Sequence, residues 1–292
     1  MDQDSGRIGV SPLPVVMTLT AVTSANLGSV MVVKAFSVVG PAGIAALRCS
    51  FAAIILLALS RPSLRGHGPR DWWAVVGFGA AIAAMNSFFN EAIFLMPVGP
   101  AVTIEMMGPL VLSVILARRA SGLLWAALAL MGVVLIRGIG PAGAAWHPLG
   151  VAFAACAGTA WACYILLTRA TGTMFKTVQA LALAQVVAAA LTMPRAVIVE
   201  GAGTMVNPKV LGWGLVVALL SNTICLGLEM LALRRIPAHI FSLLMAFGPV
   251  FGSLLAWLII DQRLGLLPWL GIGLVVLASM GATFGERHQA GT

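Results

Sequence analysis

"MPVGPAVTIEMMGPLVLSVI", residues 96–115, aligns without a gap on "IPAHIFSLLMAFGPVFGSLL", residues 236–255. Pro97 falls on Pro237, Gly108-Pro109 on Gly248-Pro249, and Ser113 on Ser253. Both stretches are apolar, and both carry a Gly-Pro pair where a helix would lose a backbone hydrogen bond. The first also holds a carboxylate, Glu105, four residues ahead of its proline, in a run otherwise suited to hydrocarbon. What these features mean depends on the solvent for which the chain is built.

That solvent is lipid. Of 292 residues, 60% are hydrophobic and only 9% charged, with a mean hydropathy of +1.03. Soluble domains carry about 25% charged residues. The apolar residues come in long blocks: 14–33, 148–168 and 264–285 contain no Asp, Glu, Lys or Arg. About 20 such residues at roughly 1.5 Å each span a hydrocarbon core of about 30 Å. Ten spans are expected, near 13–33, 41–60, 72–95, 98–117, 120–136, 148–168, 176–194, 210–232, 238–260 and 264–285. Barrel strands would alternate polar and apolar residues over about 10 positions, which these blocks do not. The fold class is therefore an all-α integral membrane protein.

The net charge of +8 does not point to nucleic acid, because the cations are scattered at span ends instead of forming a stripe. With the N-terminus inside, the inner segments hold 11 Lys and Arg, including Arg61, Arg65, Arg70, Arg118 and Arg119. The outer loops hold 5: Lys34, Arg137, Arg195, Lys209 and Arg263. This bias places both termini in the cytoplasm. Composition and topology suit a bacterial inner membrane. Cleavage of the first span is not expected, since Asp2 and Asp4 make a poor basic start. The four cysteines, Cys49, Cys156, Cys163 and Cys225, lie in apolar spans without ligand spacing, so neither disulfides nor a metal is expected. No cofactor is implied.

"GPAGAAWHP" at 140–148 is the internal seam. Across it "TSANLGSVMVVKA" at 23–35 aligns with "GTAWACYILLTRA" at 158–170. The expected organisation is a tail at 1–12, a five-helix repeat at 13–139, a linker at 140–147, a second repeat at 148–285 and a tail at 286–292. Five is odd, so the second repeat enters the membrane inverted. Secondary transporters often follow this plan, with a mid-membrane site at the repeat interface.

Several stretches together resemble the drug/metabolite transporter superfamily, its EamA family, and within that the threonine/homoserine exporter branch. They are "GIAALR" at 43–48, "AMNSFF" at 84–89, "PVGPAVTIEMMGPL" at 97–110, "GTAWACYIL" at 158–166, "LEMLALRRIPAHIFSLLMAFGPV" at 228–250 and "ASMGAT" at 278–283. The resemblance covers nearly the whole chain. It implies a ten-helix exporter of amino acids working by alternating access. Three features depart from the pattern: Gly248 where a glutamate is common, "DQRL" at 261–264 in place of a Gly-Glu pair, and the polar Asn90 and Glu91.

The candidate transport residues are the polar groups inside spans. Pro109 and Pro249 free the carbonyls of Glu105 and Met245, so Gly108-Pro109 and Gly248-Pro249 are expected breaks or hinges that line a wet cavity or pack on protein. Glu91, Glu105 and Glu229 face one deep cation, Arg48. A mid-membrane charge costs roughly 3 kcal/mol even on lenient scales. Three acids cannot all pair with one base, and an unpaired acid is a natural proton carrier. Glu105 or Glu229 is thus a candidate for the substrate ammonium or a counter-transported proton. Arg48 would bind the substrate carboxylate or lock a glutamate in place. Glu91, close to a span end, is a third proton-coupling candidate or an interfacial group. Asn86 and Asn90 share a helix face and would line a cavity or join helices. Asn26 and Ser24 are further candidates in the first span. Trp161 and Tyr164 form a pocket wall or a packed core, whereas Trp72, Trp73, Trp146 and Trp269 suit the interfacial belt. His239 suits a surface role.

No H-E-x-x-H, G-x-S-x-G or paired intramembrane aspartates support a membrane enzyme. The expected partners are a small-molecule substrate and the bilayer, with no nucleic acid, and the monomer is the expected functional unit. The alternative reading within the superfamily is an exporter of drugs or other metabolites.

Overall fold

The computed structural model describes residues 12–62, 66–117, 120–138, 147–172, 175, 177–233, 235 and 238–287. Most of the linker, both tail ends, Arg118, Arg119, Lys176, Arg234 and Pro237 lie outside the described residues, as do the side chains of Ser113, Arg137, Arg169 and His239.

The described residues are helical, with no strand among them. Three uninterrupted helices open the chain: α1 (Pro12–Ala35), α2 (Pro41–Ser60) and α3 (Pro69–Leu95). Prolines at 41 and 69 stand in the first helical turn, where a missing N–H breaks no bond. Asp71, in the first turn of α3, accepts from the Gly68 N–H at 3.0 Å and so satisfies a donor just ahead of the helix. Next come α4 (Val98–Glu105) and α5 (Met107–Ala117), then α6 (Ala120–Gly138) and α7 (Pro148–Gly172). After these follow α8 (Thr177–Glu200), the single turn α9 (Ala202–Met205) and α10 (Pro208–Ala218). A π-helical segment, Leu219–Ile224, joins α10 to α11 (Cys225–Leu233), ahead of α12 (Ala238–Met245), α13 (Gly248–Ile260) and α14 (Leu266–Arg287).

Six helical stretches are long and apolar enough to cross a bilayer: Pro12–Ala35, Pro41–Ser60, Pro69–Leu95, Pro148–Thr168, Val178–Glu200 and Pro208–Glu229. Shorter apolar helices accompany them at Val98–Leu112, Gly248–Ile260 and Leu266–Gly281. The chain is thus a multi-pass membrane protein.

Both expected proline breaks are present. One helix stops at Glu105 and the other at Met245, each four residues before its proline and therefore at the carbonyl that the proline leaves without a donor. Two departures from the sequence reading stand out. The seventh span runs on to Glu200 through Pro194, so Arg195 is a helical residue and not a loop cation. The eighth span is interrupted by the π-helical turn, which composition does not signal.

Helix α3 packs on α7 and α8, α2 on α8, α6 on α14, and α1 on α11 and α13. Small residues allow close approach in lipid. A Cβ at Gly108 would land on the carbonyl of Gly158, and one at Gly158 would lie 2.5 Å from the Glu105 carbonyl oxygen. The freed carbonyl of Glu105 therefore packs directly against the backbone of α7. Similarly, Ser253 of α13 occupies the space that Gly99 of α4 leaves open.

The largest apolar core fills one end of the bundle, with Val30, Ile44, Phe89, Val98, Ala154 and Val217 at its centre. Polar ties join helices at the same end. Arg195 Nη2 donates to Glu91 Oε1 at 2.6 Å, the Gly40 N–H to Glu200 Oε2 at 3.0 Å, and the Val98 N–H to Gln262 Oε1 at 3.2 Å. Glu200 thereby serves the open N-terminus of α2, and Gln262, from the divergent "DQRL", that of α4. Beside this core the helices leave an open space, which Phe89 and Val102 also border.

Candidate functional site

That open space is a chamber of about 670 Å³ at the meeting point of α1, α2, α3, the α4/α5 break, α7, α8, the π-helical segment, α11, α12, the α12/α13 break and α14. At about 30 Å³ per water it would hold on the order of twenty waters, so a solute the size of an amino acid fits with part of its hydration.

The chamber collects most of the polar groups that the sequence singles out. Glu105 stands at the C-terminal residue of α4, beside its break, and Glu229 on α11. Arg48, Asn86, Asn26, Trp161, Tyr164, Pro109 and Gly248 also line the wall. Tyr164 is held by Phe78, with ring centroids 5.1 Å apart, so the ring is both packed and part of the wall. Asn26 donates to the Val22 carbonyl at 2.8 Å. Asn86 donates to the Ile82 carbonyl at 3.0 Å and to Cys49 Sγ at 3.6 Å. The Cys225 thiol donates to Glu229 Oε1 at 3.2 Å, giving that carboxylate one weak local partner. All four cysteines are free thiols.

Arg48 is only 7% exposed, and its Nη2 donates to Asn222 Oδ1 at 3.0 Å. Among the described residues no carboxylate lies within 4.0 Å of the guanidinium; Asn222 is its hydrogen-bond partner, and Glu105 acts on it electrostatically from farther away. Its Nε is buried without a partner. Gln185 Oε1 and Ser221 Oγ are likewise unpartnered, and both residues line the chamber. Buried polar atoms are normally satisfied.

Other expectations are redistributed. Glu91 lies outside the chamber in its ion pair with Arg195, because its position near the end of α3 faces the C-terminal part of α8. Asn90, 0% exposed, donates to the Pro41 carbonyl at 3.5 Å and joins α3 to α2 instead of lining the cavity. Gly108 is used in backbone contact with Gly158, and Pro249 is buried beside the cavity instead of in its wall. Ser24 donates to the Leu220 carbonyl at 2.8 Å and ties α1 to the π-helical segment. Trp73 is 75% exposed, whereas its neighbour Trp72 packs on Phe175 with ring centroids 6.1 Å apart.

The sequence reading missed Asn222, Gln185, Ser29, Ser221 and Thr168, all in the chamber wall. The rule that selected Asn86, a side-chain amide inside an apolar span, selects Asn222 and Gln185 equally. The serines and the threonine give no such signal, since helical Ser and Thr commonly bond their own i−4 carbonyl, as Thr168 does to Tyr164 at 2.8 Å.

Comparison with known proteins agrees with this architecture. Residues 148–284 match the EamA-like transporter family. The chain is 29% identical over 278 residues to the threonine/homoserine exporter RhtA of Escherichia coli K12, covering 95% of this chain and 94% of that protein. It is 28% identical over 277 residues to the protein of the same name from Salmonella typhimurium LT2, covering 95% and 93%. Among solved structures, one crystal structure superposes with a TM-score of 0.67 over 94% of this chain and 98% of its own, at 19% identity. These relatives are named as exporters, not as enzymes.

Proposed function

We propose that this chain is a member of the EamA family of the drug/metabolite transporter superfamily and a secondary exporter of amino acids of the threonine/homoserine kind. It works in a bacterial inner membrane, as a monomer, with both termini in the cytoplasm. Ten spans form two five-helix repeats of opposite orientation, residues 13–139 and 148–285. The pattern of packing supports this. α3 on α7 mirrors α10, the π-helical segment and α11 on α1; α4 and α5 on α7 mirror α12 and α13 on α1; α2 with α8 and α6 with α14 are self-matching pairs. Alternating access then amounts to one repeat rocking against the other around the chamber.

The observation that carries the reading is the composition of the chamber wall, where one guanidinium and two carboxylates converge with side-chain amides. A zwitterion needs a cation for its carboxylate and an acceptor for its ammonium, and Arg48 and Glu105 or Glu229 supply them. A carboxylate not occupied by cargo can carry a proton back, which would couple export to the proton gradient. Asn26, Asn86, Trp161 and Tyr164 shape the remaining wall.

Purified protein in liposomes should move labelled threonine or homoserine, with excess unlabelled amino acid competing. Transport of lipophilic cations alone would shift the assignment to a drug or metabolite exporter.

A further inference from the structure

We infer that Asn222 is a positioning residue that holds Arg48 for the cargo carboxylate, and that its amide character makes the chamber select carboxylates. The inference rests on the export reading and deepens it. Arg48 and Asn222 lie 174 residues apart in sequence, yet they share a hydrogen bond of 3.0 Å. Asn222 is 4% exposed and belongs to the π-helical segment. Each α-helical residue advances about 100°, so the extra residue of a π turn rotates all that follows by roughly that angle. With this offset α10 packs against α1 and α2, while Asn222, Cys225 and Glu229 face the chamber.

A guanidinium buried in a membrane protein without a counter-charge is costly, and it persists when a compensating charge is part of its function. Here no acid contacts the guanidinium within 4.0 Å among the described residues; Glu105, in the same chamber wall, acts on it only from farther away, which leaves room for a cargo carboxylate to supply the close counter-charge. The Asn222 oxygen orients one terminal nitrogen without neutralising the group. Both residues line the chamber, and a charge-assisted bond from the guanidinium to a cargo carboxylate is among the stronger contacts that cargo can make. An aspartate at 222 would fit the same space, neutralise Arg48 and compete with cargo.

The test uses full-length protein in proteoliposomes, with labelled threonine and, as competitor, the amino alcohol in which CH₂OH replaces the carboxylate. Thermal stability is measured in parallel. The wild type should favour threonine over the amino alcohol. Asn222→Asp should raise KM for threonine about tenfold or more, the loss of one charge-assisted contact, and bring the two ligands level without loss of thermal stability. Asn222→Ala, with Arg48 unheld, should fall between, and it decides the question alone if the aspartate variant does not fold. Wild-type selectivity in a folded Asn222 variant overturns the inference and leaves the export reading standing. A wild type that moves no amino acid overturns both.

Discussion

Gly158→Ala adds one methyl group at the point where α7 meets the α4/α5 break. The new Cβ would sit 2.5 Å from the carbonyl oxygen of Glu105 and 3.2 Å from its carbon. Carbon–oxygen contacts between helices settle at about 3.3 Å or more, so the two backbones must part by about 0.8 Å. No flexible side chain is available to absorb that shift, because both partners are main chain. Overpacking of this kind costs about 1–3 kcal/mol. The gain in helix propensity from Gly to Ala, about 1 kcal/mol, is removed by comparison with Gly212→Ala, where nothing lies within 4 Å of the new atom. The difference between the variants is then the clash itself. For a chain of this size it corresponds to about 2–12 °C in melting temperature, at roughly 2–4 °C per kcal/mol. Purified variants in one detergent, melted side by side, provide the assay, and threonine transport should fall because the shift displaces Glu105. Equal melting temperatures for the two variants would refute the backbone contact and, with it, the placement of the freed carbonyl.

Further outcomes follow from the same geometry. Glu105→Gln and Glu229→Gln should both fold, but the one that carries the proton should lose the response of export to an imposed pH gradient; a normal response in both removes the two chamber carboxylates from coupling. Glu91→Gln breaks only the partly exposed pair with Arg195, so it should cost about 0–1 kcal/mol and leave transport intact. A transport-dead Glu91→Gln protein that melts normally would return that residue to the mechanism. Glu200→Ala should lower stability by about 1 kcal/mol by stripping the acceptor from the Gly40 N–H, whereas Glu200→Gln, which keeps an oxygen, should lose less. The reverse order in a thermal melt would show that charge, not hydrogen bonding, matters there.

Much of this protein is legible in one dimension because the bilayer constrains it so strictly. In hydrocarbon every backbone group must be satisfied within its own segment, so long apolar blocks become helices, and the positions of α1, α2 and α3 follow within a few residues. Proline acts on its own helix in the same local way, which is why Glu105 and Met245 end their helices as expected. A carboxylate or guanidinium inside such a block stands out as well, and Glu105, Glu229 and Arg48 do meet at one chamber.

What the sequence leaves open is partnership across the bundle, since that depends on which faces meet. Glu91 and Glu105 look alike as buried acids, but only the tertiary structure puts Arg195 beside the first and open space beside the second. Asn86 and Asn90 share a stripe, yet one borders the chamber and the other binds Pro41. The π-helical turn that brings Asn222 to Arg48 depends on packing among α1, α2 and α10, and no local composition encodes it. Solvent and backbone hydrogen bonding act along the chain and can be read from it; pairing of buried charges acts between helices and is decided only when they assemble.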